Sequence, residues 1–305
     1  MMSLAKTIVI AGGTGFVGRQ LTNTFTKQGH KVLVLSRKKQ CKHTHFWDPL
    51  NPDTFMSTLE NCDILINLCG ASIAGGLWTK SRKKLLTESR MIPTKALVNA
   101  IASMHRPPEI LFQASAIGIY PSYSDLNQSD KSIENSPLDR DFLATLCRDW
   151  EAVTAPIMSQ TRVIHLRFGI ILGQDGGMFK QLYPLFKYFL GHGLGKGKQP
   201  FSWIHINDIA HILSFLISQK KINGAVNIVS PNSCCFDDFS RMLASTLKRP
   251  YWGAVPNFVI SKFLGEFSEL FLNGQNVYPQ RLIDHKYCFQ YDTIDKAITH
   301  LCGLK

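Results

Sequence analysis

The chain has 305 residues, 45% of them hydrophobic and 18% charged, and a formal net charge of +12. That length suits one large domain, or a nucleotide-binding core with a smaller lobe, and the composition is that of a soluble globular protein. No apolar run approaches the length of a membrane span. The first strand begins too close to residue 1 to leave room for a cleavable signal peptide, so the cytoplasm is the expected compartment, with no membrane partner.

Eight cysteines (Cys41, Cys62, Cys69, Cys147, Cys234, Cys235, Cys288 and Cys302) include no Cys-x-x-Cys pair. In a reducing compartment they read as small buried apolar residues. The segment Cys41-Lys42-His43-Thr44-His45 falls where a short strand is expected and lacks the ligand spacings of zinc sites, so no metal is expected. The 34 basic residues outnumber the 22 acidic ones, which suits phosphorylated ligands as well as solubility. The densest cluster, Lys80, Arg82, Lys83, Lys84 and Arg90, lies on an expected helix whose apolar positions are Leu85, Leu86, Met91, Leu97 and Val98. It reads as a solvated helix face. No nucleic-acid motif accompanies it, and no nucleic-acid partner is expected.

In chain order, Thr7–Ala11 is a β-branched run that reads as a buried parallel strand. Gly12-Gly13-Thr14-Gly15-Phe16-Val17-Gly18 follows, and Phe16, Val17, Leu21 and Phe25 then recur at helical spacing. A strand, a glycine-rich turn and a helix form the context of a dinucleotide site. Gly12 permits the sharp turn, Gly15 lets a pyrophosphate approach the helix N-terminus, and Gly18 lets the helix pack close to the sheet. Residues 31–35 read as the second strand. An acidic residue at its end would bind the ribose 2′-hydroxyl of NAD, whereas arginine accommodates a 2′-phosphate. Here the segment is Ser36-Arg37-Lys38-Lys39, with Arg37 offering bidentate recognition, so NADP(H) is expected in preference to NAD(H). Asp48, beyond the third strand, is expected to bound the adenine pocket.

Residues 63–68 read as a strand followed by the turn Cys69-Gly70-Ala71. A long helix from about Trp78-Thr79, a strand at 109–115, a helix over about 139–157 and a strand at 162–167 complete a regular alternation. The expected fold class is α/β: a Rossmann-type, doubly wound parallel sheet, with ligands beyond the C-terminal strand ends. Near Gly173 the pattern becomes loop-rich, with helices at about 178–190, 207–219 and 236–247, a strand at 225–229 and a helical stretch over 253–305. Residues 1–172 thus form the expected NADP(H)-binding domain, completed by segments from 200–230. Residues 173–305 form a smaller, mainly helical substrate lobe. Gly195-Lys196-Gly197-Lys198 lacks the Gly-Lys-Ser/Thr ending of a phosphate loop, although Lys196 and Lys198 are placed to meet a substrate diphosphate. Gly177 and Trp203 are assigned to the substrate side, Trp203 either stacking on a ring or serving as core.

These residues resemble the extended branch of the short-chain dehydrogenase/reductase superfamily, and within it an atypical group of nucleoside-diphosphate-sugar epimerase family proteins. The resemblance spans nearly the whole chain. It rests on Gly12 to Gly18, Ser36-Arg37, Asn67-Leu68-Cys69-Gly70, Trp78-Thr79, Glu88-Ser89-Arg90 and Ser115-Ala116-Ile117-Gly118-Ile119-Tyr120. Asp149-Trp150-Glu151, Leu166-Arg167-Phe168-Gly169, Asp175-Gly176-Gly177, Trp203-Ile204-His205 and Pro279-Gln280-Arg281-Leu282 follow in order. It implies that Gly70 lines the adenosine or ribose side and that Ser115 sits near the nicotinamide, in a wall that includes Leu68, Ala114 and Phe168. In the wider superfamily such a serine polarises a carbonyl or hydroxyl. A tyrosine in a Tyr-x-x-x-Lys helix transfers the proton, and the lysine grips the nicotinamide ribose. With Glu151 in the usual register, Leu143 takes the tyrosine's place and Cys147 the lysine's.

Two residues are candidates to replace that pair. Tyr120 lies five positions after Ser115, and His205 titrates near neutral pH. Each also has a packing role as its alternative, and Arg167 is either a phosphate clamp or a structural arginine. The expected function is an NADP(H)-dependent oxidoreductase or epimerase-like enzyme acting on a hydroxyl- or carbonyl-bearing small molecule. The resemblance suggests nucleotide sugars, while NADPH suits net reduction. The missing pair leaves a second reading, a non-catalytic NADP(H) sensor. The chain is expected to be a monomer or homodimer with a small-molecule substrate as its partner.

Overall fold

The computed structural model of the chain describes residues 5–37 and 43–304. Lys38, Lys39, Cys41 and Lys42, named above, lie outside the described residues. Six strands come first, most of them separated by helices: β1 (Thr7–Ala11), β2 (Lys31–Ser36), β3 (Thr44–Phe46), β4 (Ile64–Asn67), β5 (Ile110–Ala116) and β6 (Arg162–Phe168). A further strand, Gly224–Ile228, returns to the same sheet. The order across it is Gly224–Ile228, β6, β5, β4, β1, β2, β3, with every pair parallel. The chain starts in the interior and winds outward in both directions, so the C-terminal ends of β1 and β4 flank the switch point.

The alternation of side chains along β1 shows why both faces must be covered. Ile8 and Ile10 face one layer, where they meet Leu21 and Phe25 of α1 (Phe16–Lys27). Val9 and Ala11 face the other, where the short α2 (Met56–Leu59) supplies Leu59 and α3 (Lys80–Ser103) supplies Leu97, Val98 and Ile101. Each fully buried aliphatic side chain contributes about 1.5–3 kcal/mol relative to exposure. On the first face α6 (Ile206–Ser218) packs beside α1 with Ile209, Ile212, Leu213 and Leu216.

The expected helix over 139–157 is shorter, as α4 (Phe142–Ala152). Asp141 caps its start by accepting from the Ala144 N–H at 2.7 Å, and a 3-10 turn over Ala155–Ile157 ends the segment. Beyond β6, α5 (Gly177–Lys187) places Phe179 and Phe186 in a separate apolar core. Phe201, Trp203, Phe236, Phe239, Leu243, Ile298 and Leu301 complete that core. The expected helical stretch over 253–305 is instead a series of short helices. Residues between them run back over the sheet end, with bridges Tyr123 to Gly274 and Ser132 to Val277. Asp208, buried in the first turn of α6, ties down the chain end by accepting from Gln290 and Tyr291 N–H groups at 2.9 and 3.0 Å.

Gly18 sets the fit of α1 against the sheet. A β-carbon there would lie 2.5 Å from the Gly12 carbonyl oxygen and from Gly13 Cα, which no packing tolerates. Gly18→Ala should lower stability in urea unfolding by about 1–3 kcal/mol. Gly15→Ala should cost less, because its β-carbon meets only the Gly12 oxygen, at 3.2 Å. An unchanged Gly18→Ala midpoint would contradict the close approach.

Candidate functional site

The first β-to-α corner builds one end of the site. Gly12 has φ of +79°, a conformation that favours glycine, and the Gly15 N–H donates back to its carbonyl at 3.0 Å. Gly15 is the N-cap of α1. Its φ of −74° and ψ of 178° are open to any residue, so the missing side chain serves access to the backbone and not its conformation. No side chain caps α1, and its first turn has no acidic residue. The leading N–H groups and the positive end of the helix dipole are therefore available to an anion.

A cavity of about 680 Å³ opens over this corner and the C-terminal ends of the central strands. It is lined by Gly12, Gly15, Phe16, Val17 and Gly18, then by Leu68, Gly70, Ala114, Ser115 and Phe168, and by Gly177. Gly177 has φ of +68°, and the Phe16 ring packs against it, so α5 starts directly on α1. Eleven of the expected site residues thus meet in one cavity. These residues fit a dinucleotide: an uncapped helix end for the diphosphate and a glycine cradle beside it.

Arg37 is exposed at the end of β2, with Ser36 preceding it. Neither residue lines the cavity, but the Arg37 charge reaches into its wall at Cys69. The Cys69 thiol, a wall residue, is pushed up to about 12 by burial and drawn back by the Arg37 charge. No acidic residue follows Ser36 in the described chain before Asp48.

Several expected positions lie elsewhere. The Thr14 carbonyl accepts from Arg19 Nη1 at 2.8 Å, outside the lining. Asp48 accepts from the Leu50 N–H at 3.0 Å and closes a turn, so it does not bound the cavity. Lys196 is exposed and off the lining. Trp203 is buried in the core under α5, where its indole donates to the Asn232 carbonyl at 3.2 Å. It stacks on no ligand surface.

The three candidates for proton transfer are also engaged. Ser115 is only 3% exposed, and its hydroxyl donates to Glu151 Oε1 at 2.7 Å. Tyr120 is fully buried. Its hydroxyl donates to Asn227 Oδ1 at 2.8 Å and accepts from Arg167 Nη1 at 2.7 Å. Burial holds the phenol above its ordinary pKa despite the arginine, so it is a poor base. Arg167 grips Glu151 through Nε and Nη2, both at 2.9 Å, and is a structural arginine. Burial would lift the Glu151 carboxyl, but the Arg167 bonds and charge outweigh it and hold the group below its ordinary value.

His205 caps α6, with Nδ1 accepting from the Asn207 N–H at 3.1 Å and Nε2 sharing a 3.1 Å hydrogen bond with His300 Nδ1. Its ring stacks on Tyr291 with centroids 3.7 Å apart. Both nitrogens are spent, and the residue is outside the lining.

At the register of the superfamily's tyrosine and lysine, Leu143 and Cys147 do face the cavity. Burial pushes the Cys147 thiol up to about 12, so it stays a thiol at neutral pH. Three charged residues of the lining, Arg90, Asp141 and Glu269, escaped the sequence reading. Arg90 is 8% exposed, donates from Nη1 to the Leu86 carbonyl and from Nη2 to the Ala71 carbonyl, and stacks over Trp150. It belongs to the buried stripe Leu86, Arg90, Pro93, Thr94, Leu97 and Ile101, a helical period the sequence does show. Asp141 stands at the rim, its carboxyl lifted first by desolvation and further by Asp139.

The state of His205 has a measurable consequence. Burial, and secondarily the His300 charge, pull its pKa from 6.5 down to about 3. Above pH 6.5 the ring is neutral whether folded or unfolded. As pH falls from 6.5 toward 3, only the unfolded chain takes the proton, so this residue erodes stability by about 1.4 kcal/mol per pH unit. His205→Asn should remove one proton from the slope of unfolding free energy against pH between 6 and 4. Parallel slopes for variant and parent would overturn this assignment.

The sequence model of the NAD dependent epimerase/dehydratase family matches residues 8–229, and that of a domain of unknown function (DUF1731) matches residues 255–301. The chain is 33% identical over 299 residues to an epimerase family protein, YfhF, of Bacillus subtilis, with 96% of this chain and 97% of that one covered. A crystal structure of a human epimerase family protein, SDR39U1, with NADPH is similar at a TM-score of 0.89 and 28% identity, covering 97% of this chain and 99% of that one. The nucleoside-diphosphate sugar epimerase of Corynebacterium glutamicum is 33% identical with a TM-score of 0.80, covering 99% of this chain and 59% of that one. The chain belongs to the NAD-dependent epimerase/dehydratase family, and is an NAD(P)-binding oxidoreductase or epimerase for a small molecule bearing a hydroxyl or carbonyl group.

Proposed function

We infer that the chain is an NADP(H)-dependent reductase. The observation that carries this reading is the pairing of an uncapped α1 N-terminus with Arg37 at the end of β2, where an NAD-specific site would place a carboxylate. The NADPH in the similar human protein supports the same choice. In this reading the α1 N–H groups and Gly15 hold the diphosphate, and Arg37 grips the 2′-phosphate with charge-assisted hydrogen bonds. Gly70 and Arg90 stand on the ribose side. Leu68, Ala114, Phe168, Leu143 and Cys147 enclose the nicotinamide half and exclude water.

The cofactor, when bound, supplies the hydride chemistry. The chain supplies orientation and a dry surround. NADPH favours net reduction over the internal redox cycle of an epimerase. We place the protein in the reducing cytoplasm, in keeping with the free thiols among the described residues, and the substrate lobe beyond residue 172.

Titration calorimetry tests the cofactor choice. Arg37→Asp should weaken NADPH binding by about 1–3 kcal/mol while leaving NADH within a few tenths. Equal losses for both dinucleotides would remove the specificity argument, and absence of binding by the parent protein would remove the function.

A further inference from the structure

We propose that the substrate is an apolar conjugated carbonyl compound, an enone or quinone, and that the cavity beyond the nicotinamide half selects against nucleotide diphosphates. This rests on the NADPH-dependent reductase reading above and narrows it.

The first argument is the wall. Beyond Ala116 and Gly118 the cavity is faced by Leu143 of α4, Met178 and Leu182 of α5, and Leu194, Leu270 and Phe271 from the second core and the returning chain. Ser122, Gln181, Ser202, Asn273 and Gln275 add polar groups to the same lining, but the larger part of its surface is hydrocarbon, which rewards the transfer of an apolar ligand from water.

The second argument is charge. A nucleotide sugar would bring a second diphosphate into a site whose helix end is already committed to the cofactor. Among the described lining residues the one cation is Arg90, and two of its nitrogens are spent on the carbonyls of Leu86 and Ala71. The rim adds the carboxylates of Asp141 and Glu269, which repel an anion. Arg167 is consumed by Glu151, and Arg281 donates to the Asn223 carbonyl. Lys196 is off the lining.

The third argument is the missing proton donor. Interconverting an alcohol and a ketone moves a proton at oxygen as the hydride moves at carbon. Ser115 and Tyr120 are locked into the buried network, and Leu143 and Cys147 hold the places of the acid–base pair. Conjugate reduction does not need that group. The hydride forms a C–H bond at the β-carbon, and the C=C electron pair moves to give an enolate whose oxygen carries the charge. The enolate takes its proton at the α-carbon from bulk solvent as it leaves the cavity. The balance is enone plus NADPH plus H⁺ giving the saturated carbonyl compound plus NADP⁺; for a quinone the same hydride addition at a ring carbon, followed by protonation at oxygen and enolisation, gives the hydroquinone plus NADP⁺.

The test uses the full chain. With NADPH, trans-2-nonenal and menadione should drive loss of reduced-nicotinamide absorbance, and UDP-glucose should not. By calorimetry, NADP⁺-loaded protein should bind the unreactive 2-nonanone and give no heat with UDP. Leu182→Glu should raise KM for nonenal about tenfold or more and abolish nonanone binding, while NADPH affinity stays unchanged, which also shows that the variant is folded. Turnover or binding of UDP-glucose or UDP overturns the inference. So does failure of nonenal and menadione to react, or of nonanone to bind, when calorimetry shows NADPH bound. If NADPH itself does not bind, the cofactor reading falls first and this inference falls with it.

Discussion

Two opposite charges meet inside the molecule, between α4 and β6. Taking Glu151 and Arg167 out of water costs several kcal/mol for each ion, and the pair survives only because its geometry leaves little unsatisfied. Both guanidinium contacts are at 2.9 Å, Ser115 donates a third hydrogen bond to the carboxylate, and Tyr120 accepts one from the arginine. Asn227 on the returning strand receives the Tyr120 hydroxyl, and its own side-chain amide donates to the Tyr278 carbonyl at 3.0 Å. Its backbone N–H donates to Glu134, whose carbonyl in turn accepts from Arg167. One buried network thus joins β5, β6, α4, the returning strand and the chain that crosses the sheet end. It reaches the cavity at Ser115.

That network explains which site residues could be read in advance. The glycine corner is local: its meaning comes from a strand before it and a helix after it, all within residues 7–27. The lining positions Leu68, Ala114 and Phe168 follow from strand ends, because a parallel sheet delivers them to the same edge. Ser115, Tyr120 and His205 carry reactive groups in suggestive places, yet their partners are distant. Tyr120 meets Asn227, 107 positions away, and His205 meets His300, 95 away. Their roles are decided by contacts that no local pattern records. Arg90 is the opposite case. Its period along α3 places it on the buried stripe, but its charge groups it with its exposed neighbours Lys80, Lys84 and Glu88. Here periodicity and residue type conflict, and periodicity wins because Trp150 and two backbone carbonyls satisfy the guanidinium.

The second core was harder to read for a different reason. Strands there are two to four residues long, and the helices from residue 257 onward run four to eight residues, too short for periodic patterns to emerge. Packing fixes them instead. Phe16, at the start of α1, fills the space left by Gly173, Gly176 and Gly177, so the dinucleotide corner and the wall opposite it are held by one ring. A side chain at any of those glycines would push the wall off the cofactor helix.

Frame and chemistry are therefore separable here. The Glu151–Arg167 pair, the sheet order and the glycine corner do not depend on what stands at positions 143 and 147. Exchanging a phenol and an ammonium for Leu143 and Cys147 leaves the frame standing and removes two polar groups from a wall already rich in hydrocarbon. The desolvation cost of a charged substrate rises, and that of an apolar one falls. A fold of this kind keeps its grip on a dinucleotide because the grip is made by backbone and a helix end, while selection of the second ligand passes to the polarity of a few side chains. Arg90 does not reverse that balance: two carbonyls and a tryptophan face already engage its guanidinium, so little of its charge is left for a second anion.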